Sequence, residues 1–147
     1  MSEYLILAEN ITYKNNKLSC INIYDNFSAV ALPAEFVFDL VVICGPNWAP
    51  GEHKLTIKAK TNTDVTVDIG EITVNLPTDN FVYNAMAQNL RVALDYSIKD
   101  LTFIVYDDDK EILQRKYSVS SLLVPQQKQE APAEAPKPEK TSKSKKQ

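Results

Sequence analysis

His53-Lys54-Leu55-Thr56-Ile57-Lys58-Ala59-Lys60-Thr61 decides the fold class. Leu55, Ile57 and Ala59 fall on one side of an extended chain, and Lys54, Thr56, Lys58 and Lys60 fall on the other. Strict alternation of this kind is the signature of a β-strand with one buried and one wet face. Wound as a helix, the same residues would spread the lysines around the cylinder and break the apolar stripe.

Working outward, residues 65–76 alternate in the same way but change phase. Val65, Val67 and Ile69 share one parity; beyond Gly70 it passes to Ile72, Val74 and Leu76. A one-residue slip would turn every later side chain over, so a β-bulge at Gly70 is expected, with a crossing between sheets as the competing account. Asn62-Thr63-Asp64 supplies the turn between these two strands. Strands are also predicted over residues 4–13, 18–25, 35–44, 90–98, 101–106 and 111–119. Lys14-Asn15-Asn16-Lys17 and Asp107-Asp108-Asp109-Lys110 are the hairpin turns. Asp39 interrupts the otherwise apolar strand 35–44. Residues 26–32 read as a loop or a single helical turn. Residues 77–89 read as a connector that holds the one plausible helical turn, over 80–87 and capped by Asp79 or Asn80.

About eight short strands without a long amphipathic helix predict an all-β, antiparallel two-sheet β-sandwich, Ig-like or C2-like, over residues 1–124. The character changes after Val124. Pro125, Pro132, Pro136 and Pro138 punctuate a run of Gln, Lys, Glu, Ala and Ser without an aromatic residue. With nothing to bury against the entropy of ordering, residues 125–147 are expected to be a disordered Lys/Pro/Ala/Glu-rich tail.

The chain of 147 residues has a formal net charge of −3, unevenly placed. Residues 125–147 carry six lysines and three glutamates, so the remainder is net −6. An acidic body is not built to contact phosphates, which leaves nucleic acid only the basic tail. No basic leader and no long apolar run are present, so a cytoplasmic protein without a membrane segment is expected, with Cys20 and Cys44 as reduced thiols. A Cys20–Cys44 disulfide is the sharper alternative.

A resemblance attaches to particular residues. Leu18-Ser19-Cys20-Ile21-Asn22-Ile23-Tyr24-Asp25 is followed by Leu32-Pro33-Ala34, a long apolar strand, the turn Pro50-Gly51-Glu52-His53, a strand pair, and Leu101-Thr102-Phe103-Ile104-Val105-Tyr106-Asp107-Asp108. In this order the chain resembles a family of small uncharacterised bacterial and phage β-sandwich proteins, over about residues 3–119. Lys99-Asp100 stands where such proteins often place a glycine, which affects the local turn. The resemblance implies a sandwich and a role in a phage- or prophage-related assembly, and transfers no catalytic residue.

Catalytic chemistry finds little to work with. His53 is the single histidine and is expected at a surface turn. The three glycines, at 45, 51 and 70, cannot form a phosphate-cradling loop, and one His with two distant Cys falls short of a zinc site. No cofactor is expected. Asp107 and Asp109 are weak candidates for calcium, against the plainer role of Asp in a hairpin turn. Trp48, between Pro46 and Pro50, either presents a recognition ring or caps the core. Lys54, Lys58 and Lys60 either meet an anionic partner or form a row that is solvated or protects a sheet edge. The expected function is a non-enzymatic interaction or structural module for a protein partner. The alternative is a carbohydrate- or small-molecule-binding sandwich that stacks its ligand on Trp48, Phe81 and Tyr83.

Overall fold

A computed structural model describes residues 4–77 and 82–123, of which strands take 74%. Nine strands follow in order: β1 (Tyr4–Lys14), β2 (Lys17–Ile23), β3 (Phe27–Ala29), β4 (Ala34–Cys44), β5 (Gly51–Thr61), β6 (Thr66–Leu76), β7 (Tyr83–Leu94), β8 (Asp100–Asp107) and β9 (Lys110–Ser121). No helix occurs among the described residues. One sheet has the order β2-β1-β4-β7 and the other β3-β9-β8-β5-β6. One of the two sheets is strongly curled. The predicted tail, residues 125–147, lies outside the described residues.

The alternating residues do what their parity demands. Leu5, Leu7, Phe38, Leu40 and Val42 of the first sheet face Leu55, Ile57, Phe103 and Val105 of the second in one buried core. The β1–β2 turn holds Asn15 and Asn16 at φ 52° and 58°. Two successive left-handed residues make the type I′ turn that suits the twist of a hairpin, and asparagine tolerates that conformation best after glycine. In β6 the expected bulge is present: Ile57 opposes Gly70 while Lys58 opposes Asp68, so Ile69 is the extra residue. A Cβ at Gly70 would lie 3.0 Å from Leu90 Cδ2, so glycine also lets β6 approach β7 of the other sheet.

Three expectations fail. Residues 26–32 hold a ninth strand, β3, parallel to β9, with Phe27 opposite Val119. Fully buried Phe27 stacks on Tyr24 at 5.2 Å and on Phe103 at 5.9 Å, and meets Phe36, Phe38 and Tyr117 edge-on. Three residues are too few to show a period, so this hub of the aromatic core was hidden. Residues 80 and 81 of the expected helical turn over 80–87 lie outside the described residues, and the rest of it is overturned: from Tyr83 onward the chain is β7, paired with β4 from Cys44↔Tyr83 to Ala34↔Leu94. A bulge near Gln88 and Asn89 shifts the register between Phe38 and Leu40. It moves the inward parity from Ala85 and Ala87 to Leu90, Val92 and Leu94, which conceals one long strand as two unrelated pieces. Residues 95–98, expected within a strand, form a turn in which Asp95 accepts from the Ser97 amide at 2.8 Å.

Asp39 sits at that bulge and is 4% exposed. Its Oδ1 accepts the Asn89 amide at 3.0 Å and its Oδ2 accepts the Ile11 amide at 2.9 Å. β1 pairs with β4 only as far as Ala8↔Asp39, after which Ile11 is held by Asp39 and its carbonyl accepts from Gln88 Nε2 at 3.2 Å. A second small core forms here, with Ala8, Ile11 and Val41 buried among Ile6, Leu18, Cys20 and Met86. One carboxylate thus satisfies two backbone donors that the sheet ladder leaves over. Asp39→Ala strands both donors and is expected to cost about 2–4 kcal/mol, with about 1–3 kcal/mol for the buried Ile11 amide and less for the part-buried Asn89 amide. Asp39→Asn keeps one acceptor and should cost less. Urea denaturation of the two variants checks the order.

Candidate functional site

His53 is not on a surface turn. It lies within β5, on the parity of Leu55 and Ile57, and closes the core-facing row of that strand. Its side chain is 13% exposed. Asp107 ends the core-facing row of β8 and is opposite Leu55 in register. His53 Nδ1 lies 2.7 Å from Asp107 Oδ2, and Nε2 lies 2.6 Å from the Ala49 carbonyl oxygen. Both partners accept hydrogen bonds, so both ring nitrogens must carry protons for both bonds to form. That species is the imidazolium. Partial burial opposes the charge, but the Ala49 carbonyl, the Asp107 carboxylate and the charge of Asp108 outweigh it and raise the His53 pKa above its ordinary value.

Trp48 completes this end of the molecule. It is half-buried, packs against the main core, and its ring centroid lies 5.2 Å from that of His53. Of its two expected roles, the placement matches capping. Tyr83 is exposed at the start of β7, opposite Cys44. No ring contact joins Trp48 to Tyr83 among the described residues, and Phe81 lies outside them.

The lysines meet acids. Lys54 lies 3.6 Å from Glu71, Lys58 3.8 Å from Asp68, and Lys60 3.3 Å from Asp64. β5 runs between β8 and β6, so the expectation of edge protection is corrected: these lysines stand on an interior strand and pair with the acidic edge strand and its turn. Asp107 is engaged by His53, and Asp109 is exposed beside Asp108, whose φ is 50°. No group of three or more His, Cys, Asp or Glu able to hold a metal ion occurs among the described residues. Cys20 and Cys44 form no disulfide; β1 separates their strands.

Two features escaped the sequence. On the outer face of β8, Tyr106 borders both a groove of about 650 Å³, lined also by Thr102, Gln114, Lys60 and Lys116, and a smaller one of about 220 Å³. Lys58 Nζ lies 5.5 Å from the Tyr106 ring centre. Parity along residues 100–106 carried this signal, masked by the uniformly apolar run. The β1–β2 hairpin exposes Tyr4 (61%), Tyr13 (52%), Ile21 (53%) and Ile23 (55%). Here the sequence shows alternation on both faces and cannot tell which face is covered.

Neither a protein-family model nor a curated protein matches the chain. No helix among the described residues is long and apolar enough to cross a membrane.

His53 generates a pH dependence of stability. Its folded pKa is raised, so its contribution is complete below the unfolded value of about 6.5 and is lost as pH rises through the folded value. Urea denaturation should show stability falling across that window. In His53→Gln that component of the fall should disappear.

Proposed function

We propose that the chain is a non-enzymatic protein-interaction or structural module. In this reading it is an Ig-like or C2-like sandwich of the cytoplasm that engages a protein partner through the edge of β2, within a phage- or prophage-related assembly. The observation that carries it is the exposure of Ile21 and Ile23 on β2, an edge strand whose outer side pairs with no strand among the described residues. Edge strands invite pairing unless they are short, charged or covered. β3, at one edge of the second sheet, has only three residues, and β6 at the other bears Asp68 and Glu71. β2 carries no charge beyond Lys17. The occupied nitrogens of the single histidine support a non-enzymatic role, because neither is offered to a nucleophile.

Ile21→Lys with Ile23→Lys changes two exposed side chains, so stability should stay within about 0.5 kcal/mol. Affinity capture from the native source should then lose the partner that the natural chain retains. Equal capture by both proteins, or no reproducible partner for either, ends this reading.

A second reading, binding of a carbohydrate or small molecule, is favoured by the outer groove and moves from the expected loop aromatics to Tyr106. Its volume of about 650 Å³ is of ligand size, and its lining mixes an aromatic ring with Thr, Gln and paired Lys and Asp side chains. Such a lining suits a polyhydroxylated, uncharged ligand. Calorimetry with neutral oligosaccharides should detect binding that Tyr106→Ala removes. Absence of heat across the series removes the reading.

A further inference from the structure

The chain crosses from β4 in one sheet to β5 in the other through residues 45–50. Within that loop the Trp48 amide donates to the Gly45 carbonyl at 3.4 Å. Beyond the packing of Trp48 against the core, a prominent polar tie between this loop and the second sheet is the imidazole of His53, between the Ala49 carbonyl and the Asp107 carboxylate. We infer that His53 is a proton-operated latch: as the imidazolium it clamps the 45–50 loop and Trp48 to the end of β8, and on losing a proton to solvent it lets that loop lift from the core.

The two states differ by one proton and one set of contacts. In the charged state two N–H groups meet two acceptors, and Asp107 faces a cation. After deprotonation one ring nitrogen carries a lone pair. If Nδ1 keeps the proton, that lone pair faces the Ala49 oxygen at a distance that only a hydrogen bond allows. If Nε2 keeps it, the lone pair faces the Asp107 carboxylate. Either tautomer loses one tie and the ionic attraction to Asp107.

The charged surroundings favour the proton. Asp107 comes from β8, and Asp108 from the following turn, where its amide bonds the Lys54 carbonyl at 3.0 Å. Lys110 of β9 is the register partner of Asp107 and is exposed. β6 presents Val74 opposite His53, without charge. Glu52 and Lys54 flank His53 on β5 with the opposite parity, and Lys54 is paired with Glu71. The loop contributes a carbonyl and an indole ring. Carboxylates therefore dominate what the ring meets, and the clamped state persists to higher pH than the ordinary imidazole value would allow.

The chain of 147 residues is well suited to a test, because it has one histidine and one tryptophan. The His53 ring proton by NMR and the Trp48 emission by fluorescence are followed from about pH 5 to about pH 9, a range that brackets the ordinary imidazole value near 6.5. The imidazole midpoint should lie above that value. Trp48 emission should move to longer wavelength with the same midpoint, while the far-ultraviolet circular dichroism stays constant. Asp107→Asn should lower both midpoints together by about one pH unit, the effect of removing an adjacent opposite charge. His53→Phe should give an emission that no longer follows pH. An emission that stays fixed while the imidazole titrates overturns the latch, as does an imidazole midpoint that Asp107→Asn leaves in place. If His53→Phe does not fold, the natural chain and Asp107→Asn decide alone.

Discussion

The carboxylate of Asp39 lies where three strands would otherwise part. β1 leaves β4 after Ala8, β7 bulges at Gln88 and Asn89, and each departure frees a backbone amide from the ladder, that of Ile11 in a buried position and that of Asn89 in a part-buried one. A side chain with acceptors on two oxygens answers both amides from one position in β4. The distal part of the β1–β2 hairpin is thereby tied to its own sheet, and the small cluster of Ala8, Ile11 and Val41 becomes a second buried layer beside the main core. An apolar residue at 39 would suit the strand's composition and leave the hairpin without its anchor. The interruption of an apolar run is the cost of joining three strands at one point.

Much of the fold was legible because burial acts on every second residue. Strands β5 and β6, the bulge at Gly70 and the two-residue turn at Asn15-Asn16 each leave a local mark: a period, a phase slip, a pair of residues that accept positive φ. What stayed hidden is non-local. β3 is a strand because β9 lies beside it, and no property of Phe27, Ser28 and Ala29 reveals that. β7 was split in two because its bulge is dictated by Asp39 on another strand. The polar pair at the candidate site was half visible. His53 shares the parity of Leu55, and Asp107 that of Val105, so the same alternation that gave the strands places both at the rim of the core. Their meeting depends on the register of β5 with β8, which a single sequence does not contain.

The two faces of the second sheet are used differently. Inside, Phe103, Leu55 and Ile57 pack without polar atoms, and the row ends in the charged pair of His53 and Asp107, where the core meets solvent. Outside, lysines of β5 meet acids of β6 and of the turn before it, spaced at 3.3–3.8 Å and well exposed. Pairs of this kind add little stability, since water screens them and long side chains lose entropy in holding position. Their effect is to leave the outer face nearly neutral locally although the body is acidic. Tyr117 shows the opposite economy: its ring is buried beneath the Arg115 guanidinium at 4.9 Å, and its hydroxyl has no hydrogen-bond partner among the described residues. The ring's packing with Phe27 and Phe103 outweighs that loss.

The parallel pairing of Phe27 with Val119 bears on how the molecule comes into being. The residue at the centre of the aromatic cluster is made well before the strand that seats it. While the ribosome is still translating, Phe27 has neither Phe103 nor Tyr117 to pack on, and β3 has no neighbour. The amino-terminal hairpin can close on its own, but the two-layered structure must wait until β9 has emerged from the exit tunnel. Until then the nascent chain presents an apolar surface that its own sequence will later cover.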